Sequence, residues 1–208
     1  MIAIVDYGVG NLFSLKSSLA AIGATATVTA DPATIRAADR VILPGVGAFG
    51  DAAEKLQKSG LGEVVVEVAK SGKPILGICL GMQMLFDKSL EYGEHEGLGL
   101  IHGTVSPIAD VIPKNLKIPH IGWNALHFGA NKHPLFKYLD EGECVYFVHS
   151  YYGANCKESV IATAEYGAEL TAAVADGNVM GCQFHPEKSG NAGLAILRAF
   201  CEMEGTVC

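Results

Sequence analysis

The sequence predicts an α/β fold: a mainly parallel central sheet, helices on both of its faces, and additional antiparallel strands. Three observations carry that expectation. In the first half of the chain, short apolar runs alternate with segments of helical periodicity, the pattern of parallel strands joined by crossover helices. In the second half, strand-like segments follow one another closely, which suits antiparallel pairing. Finally, half of the 208 residues are hydrophobic and 18% are charged. That composition supplies one substantial core, and no low-complexity linker or repeat divides the chain, so residues 1–208 read as a single domain.

Ile2–Asp6 is a short apolar strand. Asn11 stands at an N-cap position before Leu12, Leu15, Leu19 and Ile22, whose spacings of three and four put them on one helical face. Gly23 ends that helix. Thr25–Thr29 is β-branched and extended, and Arg40–Leu43 is a strand halted at Pro44-Gly45-Val46-Gly47. Asp51–Lys70 reads as a helix broken near Gly60–Gly62. Pro74–Ile78 is a fully apolar strand, and Leu80–Lys88 reads as helical. Strands are then expected at 103–108, 120–128, 143–148, 159–166, 171–175 and 179–184. The last element, Gly193–Glu204, is a helix carrying Ile196, Leu197, Phe200 and Met203.

The formal charge is −7 and no Lys/Arg cluster offsets it, which argues against a nucleic-acid surface. Met1–Asp6 reads as a strand, not as a basic stretch followed by a long apolar one, so no signal peptide is expected. No window approaches the roughly 20 apolar residues of a membrane span. The six cysteines, at 79, 144, 156, 182, 201 and 208, show neither a CxxC pair nor a zinc-type spacing. They read as reduced thiols of a cytoplasmic protein with no metal site.

Gly77-Ile78-Cys79-Leu80-Gly81 follows a buried strand and opens a helix. This is the nucleophile-elbow pattern G-x-S-x-G with cysteine in place of serine. The glycines permit a tight turn, and the turn lifts the thiol to the sheet's C-terminal edge. The N-terminal end of the following helix favours a thiolate. The N–H of Leu80 is placed to meet an oxyanion. A buried structural cysteine is the competing reading, and a cysteine of that kind needs no such framing. A thiol nucleophile also needs a base and a group to orient it. Among seven histidines, His185 stands out in Gly181-Cys182-Gln183-Phe184-His185-Pro186-Glu187, just past a strand end. Pro186 biases His185 toward an extended conformation, in which Glu187 lies on the same side and reaches back to the imidazole. Cys79, His185 and Glu187 are therefore the candidate nucleophile, base and orienting carboxylate.

The Cys elbow, with His-x-Glu placed 106 residues downstream, resembles the signature of class I glutamine amidotransferases. Within that family the chain resembles the glutaminase subunits of imidazole glycerol phosphate synthases. The carrying stretches are 6–12 (DYGVGNL), 43–49 (LPGVGAF), 119–124 (PHIGWN), 146–151 (YFVHSY) and 183–189 (QFHPEKS). The resemblance implies hydrolysis of L-glutamine to glutamate and ammonia, with no cofactor. It implies transfer of the ammonia to a (β/α)8-barrel cyclase, as a heterodimer serving L-histidine biosynthesis. Pro44–Gly47 would be a flexible oxyanion strand presenting the Val46 N–H. Gly47, Gln83, His149, Ser150 and Tyr151 would hold the amino-acid end of glutamine. Asn11, Trp123, Asn124 and Lys188 would face the cyclase. A barrel of about 250 residues does not fit in this chain, so the cyclase must be a separate polypeptide.

Residues 45–50 formally match G-x-G-x-x-G, but the match follows a middle strand. The acidic residues about 20 positions on, Glu63 and Glu67, fall in a helical pattern and do not end a strand. A dinucleotide site is not expected. Two other classes remain: a regulatory subunit that has lost catalysis, which intact Cys79, His185 and Glu187 speak against, and a cysteine peptidase, which stretches 119–124 and 183–187 speak against. By chemistry, the nearest competitor is a glutaminase serving another synthase, such as anthranilate synthase.

Overall fold

Every side chain of the first strand, β1 (Ile2–Val5), is buried. Ile2 and Ile4 enter one apolar cluster, while Ala3 and Val5 enter another. Successive residues of a strand point to opposite faces, so such a strand must lie inside a sheet covered on both sides. A computed structural model, describing residues 1–129 and 131–205, contains that sheet.

After β1 come α1 (Leu12–Ala21), β2 (Ala26–Thr29), α2 (Pro32–Ala37), β3 (Arg40–Leu43), α3 (Phe49–Lys58), α4 (Leu61–Lys70), β4 (Ile75–Ile78) and α5 (Leu80–Met84). The strands β5 (Phe86–Ser89), β6 (His95–Glu96), β7 (Ile101–Pro107), β8 (His120–Ala125), β9 (His127–Phe128) and β10 (Cys144–His149) follow. Then come β11 (Tyr151–Ala154), β12 (Val160–Glu165), β13 (Glu169–Asp176), β14 (Val179–Cys182) and α6 (Gly190–Cys201).

The main sheet has the order β2-β1-β3-β4-β14-β13-β12-β9. Its first five strands run parallel and the other three join antiparallel. Leu15 and Leu19 of α1 and Ile196, Leu197 and Phe200 of α6 cover one face. Ile35 of α2, Leu56 of α3 and Val65 of α4 help to cover the other. β8 and β10 form an antiparallel ribbon, and β11-β7-β5-β6 form a smaller sheet. The fold class is the one expected.

Several elements differ from expectation. Leu80–Lys88 is not one helix, because α5 stops at Met84 and Phe86–Ser89 pairs with β7. Phe86 is fully buried; a Cβ at Gly153 would overlap its ring, and one at Gly103 would press on it at 3.1 Å. Glycines supplied by distant strands thus decide the conformation there, against the local helical pattern. Residues 120–128 split into β8, which pairs with β10, and β9, which pairs with β12. Asn11 precedes α1 but makes no side-chain capping bond. It lines a narrow cleft with Val46 and Glu187 instead. The sequence reading missed α2 although its signal was local: Asp31 accepts from the N–H of Thr34 at 2.9 Å, and Pro32 starts the first turn. Among the described residues, no helix is long and apolar enough to cross a membrane. Nor does any group of three or more His, Cys, Asp or Glu side chains there form a site for a metal ion.

Candidate active site

β1, β3, β4 and β14 are neighbouring parallel strands, so their C-terminal ends share one edge. The candidate residues leave from those ends: Pro44–Gly47 after β3, Cys79 after β4 and His185 after β14; Tyr7, not among the candidates, follows β1 at the same edge. This is where open α/β sheets bind ligands.

Cys79 continues the β4–β14 ladder by one bond, its N–H donating to the Cys182 carbonyl at 2.8 Å. The chain then turns sharply, with Cys79 at φ 53°, ψ −110°. A non-glycine residue at positive φ is strained, and such strain persists only where the surroundings impose it. Here they do: a Cβ at Gly77 would lie 2.7 Å from the Gly81 carbonyl oxygen, and one at Gly81 would overlap the Leu43 carbonyl. The thiol is largely buried. Gln183 Nε2 lies 3.7 Å from Sγ. Leu80 begins α5, where first-turn N–H groups have no intrahelical acceptor.

His185 Nδ1 lies 2.9 Å from Glu187 Oε1, and both side chains are almost fully buried. The reach is made by a tight 3-10 turn over Pro186–Lys188, not by the extended chain expected from the sequence. Pro186 begins that turn, while His185 itself stays extended at φ −103°, ψ 99°. The His185 N–H donates to the Tyr146 carbonyl, and Ser189 Oγ donates to the His185 carbonyl at 2.6 Å. Burial by itself depresses the imidazole pKa. The Cys79 sulfur and the Glu187 carboxylate outweigh it, and the pKa rises to about 9. His185 therefore carries a proton at neutral pH. The second oxygen of Glu187, Oε2, is buried without a hydrogen-bond partner.

Pro44, Gly45 and Val46 share their cleft with Asn11, His185 and Glu187, so the candidate oxyanion strand borders the His185–Glu187 pair. Gly47 is at φ +97°, and Val46 is partly exposed. The buried Tyr7 hydroxyl donates to the Pro44 carbonyl at 2.7 Å. Burial, and then the nearby Cys79 sulfur, raises the Tyr7 pKa above its ordinary value, so the hydroxyl stays a donor. Tyr7→Phe leaves that carbonyl unpaired and is expected to cost about 1–3 kcal/mol of folding stability, which denaturant unfolding measures. Just beyond Gly47, the Phe49 N–H donates to Glu91 Oε2 at 2.6 Å.

Gln83 sits on the second turn of the elbow helix. Its Nε2 donates to the Tyr151 carbonyl at 3.2 Å and to Gln183 Oε1 at 3.0 Å. Tyr151 and Ser150 lie at the junction of β10 and β11, and the Ser150 carbonyl accepts from Ile108. His149 has both ring nitrogens committed to protein groups, Tyr151 O at 2.8 Å and His120 at 2.9 Å, so its ring is not free to bind glutamine. Trp123 is 58% exposed and meets the Tyr146 ring edge-on, while Lys188 Nζ lies 5.9 Å from the same ring. Trp123 and Lys188 thus form one group, with Asn11 in the cleft beside Glu187. Asn124 is half-buried, and its amide donates to the Glu165 carbonyl at 2.7 Å.

Four residues at or behind this site had been given no role. Tyr7 and Gln183 sit inside motif stretches and were legible as polar residues beside them. His120 was legible only as a strand-end residue. Glu91 lies just past β5 and outside every motif stretch, so it carries no local signal.

The profile of the family described as glutamine amidotransferase class-I matches residues 3–203. The protein named imidazole glycerol phosphate synthase subunit HisH from Wolinella succinogenes is 49% identical over 205 residues, covering 98% of this chain and 100% of that one. The protein of the same name from Sulfurimonas denitrificans is 51% identical over 202 residues, covering 96% and 97%. Among solved structures, a glutamine amidotransferase superposes with a TM-score of 0.75 at 20% identity, covering 97% and 98% of the two chains. PurLQS from Thermotoga maritima superposes with a TM-score of 0.73 at 21% identity, covering 96% of each. At those identities the structures speak for the fold alone. The match over residues 3–203 and the near full-length relatives at about half identity show that this chain belongs to the class I glutamine amidotransferases.

Proposed function

We propose that the chain is the glutaminase subunit of an imidazole glycerol phosphate synthase. It hydrolyses L-glutamine and passes the ammonia to a separate (β/α)8-barrel cyclase in L-histidine biosynthesis. The observation that carries this reading is the meeting of Cys79, His185 and Glu187 at one sheet edge, in a chain whose full-length relatives bear that subunit's name.

In the proposed reaction, Cys79 Sγ attacks the side-chain amide carbon and the carbonyl electron pair moves onto oxygen. The N–H groups of Val46 and Leu80 receive that oxyanion. His185, already protonated, gives its proton to the nitrogen; the C–N bond breaks, ammonia leaves, and a thioester remains. The now neutral imidazole takes a proton from water, whose oxygen attacks the thioester. Glutamate is released and Cys79 is restored. Glu187 holds the imidazole without itself taking the proton. Gly47, Gln83, Ser150 and Tyr151 cradle the amino-acid end of glutamine, with His149 acting on Tyr151 from behind. Glu91, beside the oxyanion strand, offers a carboxylate to the α-ammonium group.

Asn11, Trp123, Asn124 and Lys188 are assigned to the cyclase interface. The strongly exposed side chains of Phe13, Ile121 and Trp123 give the chain apolar surface that suits a partner. Residues 1–208 act as one cytoplasmic glutaminase domain.

The glycines at 45 and 47 let the oxyanion strand hold its peptide N–H toward the site or away from it. A missing oxyanion donor costs about 10²–10³ in kcat. The partner is therefore expected to activate the chain by biasing that strand. The test compares kcat for glutamine hydrolysis by the chain alone, with the cyclase, and with the cyclase and its nucleotide ligand. A stepwise rise on the order of 10²–10³ is expected. A chain fully active alone, with no response to partner or ligand, would overturn the reading.

A further inference from the structure

The hydrogen bonds behind the substrate cradle have one consistent direction. The Tyr151 carbonyl can only accept, so the hydrogen of His149 lies on Nδ1, 2.8 Å away. Burial, aided by His120 and His185, holds the His149 pKa down to about 4, so the ring is neutral and its Nε2 is bare. That nitrogen must then accept from His120 Nδ1, 2.9 Å away. Burial lowers the His120 pKa as well, so its own Nε2 is bare and faces the amide of Asn124 at 3.4 Å. From the other side, Gln83 gives both amide hydrogens to the Tyr151 and Gln183 oxygens, and Gln183 turns its amide toward Cys79 Sγ. Each acceptor in this chain of bonds fixes the orientation of the next donor. Gln83 keeps only its carbonyl oxygen for a ligand.

We propose that His120 is a positioning residue for glutamine: through His149 it fixes the Tyr151 carbonyl, and through that carbonyl the orientation of the Gln83 amide. This rests on the glutaminase reading and deepens it. The network starts at Asn124, beside Trp123, and ends at the nucleophilic sulfur. It therefore links the face assigned to the cyclase with the substrate cradle by six buried or half-buried groups.

The plain competitor is packing, because the His120 ring stacks between Phe147 and Tyr166, with centroids 4.9 and 4.2 Å away. Two substitutions separate the roles. His120→Phe keeps the aromatic slab and loses the donor. His120→Asn loses the slab and keeps an amide N–H near the position of Nδ1. A packing role makes Phe the better replacement; a positioning role makes Asn the better one for activity.

The experiment uses the complex with the cyclase and its ligand, measuring KM and kcat for glutamine, the ammonium-driven rate and Tm. His120→Phe is expected to lower kcat/KM at least about tenfold, mainly through KM, with the ammonium-driven rate unchanged. His120→Asn is expected to recover much of that loss despite a lower Tm. Asn124→Leu, which removes the outermost donor without entering the core, is expected to raise KM by a smaller factor and reads the network even where His120→Phe fails to fold. A wild-type KM in both His120→Phe and Asn124→Leu, or a His120→Phe complex more active than His120→Asn, would overturn the proposal. A wild-type complex that does not hydrolyse glutamine would instead overturn the glutaminase reading, so the two failures are distinguishable.

Discussion

Cys79→Ala is expected to reduce glutamine-dependent turnover by about 10⁶, the scale seen when a triad nucleophile is removed. Ammonium-driven synthesis by the complex should continue, because the proposed function puts that chemistry in the partner. The substitution keeps a Cβ at the strained elbow, where φ is 53°, and deletes one largely buried sulfur, so the turn and its glycine contacts are retained. Parallel assays with glutamine and with ammonium check the result. Near-normal glutamine hydrolysis by the variant would remove Cys79 from the mechanism.

His185→Asn is expected to be about as damaging, since it removes both the acid and the base. Glu187→Gln should cost less, up to about 10⁴, because it removes an orienting charge and not the proton carrier. The pH profile adds a signed test. His185 titrates near 9, above its ordinary value, so the protonated form needed to expel ammonia dominates below that pH and is lost above it. The value of kcat/KM should accordingly fall as pH rises through about 9. Burial lowers this pKa, while the sulfur and the carboxylate raise it. Glu187→Gln removes one raising influence and should move the alkaline limb to lower pH. A limb that stays in place or moves upward would show that Glu187 does not hold the imidazole.

The parallel half of the fold was legible because its signals are local. β3 carries its apolar run and its Pro-Gly stop in consecutive residues, and α3 and α4 carry their helical spacing and the Gly60 break. The elbow was legible for the same reason, because its glycines impose its turn; the His-Pro-Glu stretch was legible as a set of residues, but not as the 3-10 turn it adopts. The strands β5, β6 and β11 were not legible. They are two to four residues long, and their pairing is decided by distant partners.

The sequence by itself determined the α/β class, the thiol at the elbow, the histidine beyond the last strand and the carboxylate two residues later. These depend on backbone sterics and on periodicity, which act between near neighbours in the chain. Only the tertiary structure decided that Glu187 reaches His185 through a 3-10 turn, and that the Tyr7 hydroxyl donates to the Pro44 carbonyl. It also decided that both ring nitrogens of His149 are committed to protein groups, Tyr151 O and His120 Nδ1. Two of those arrangements join residues 37 and 29 positions apart across strand ends, Tyr7 with Pro44 and His120 with His149, and the other two are short-range contacts set by burial. Register and desolvation are properties of the assembled sheet, and no local stretch of sequence contains them.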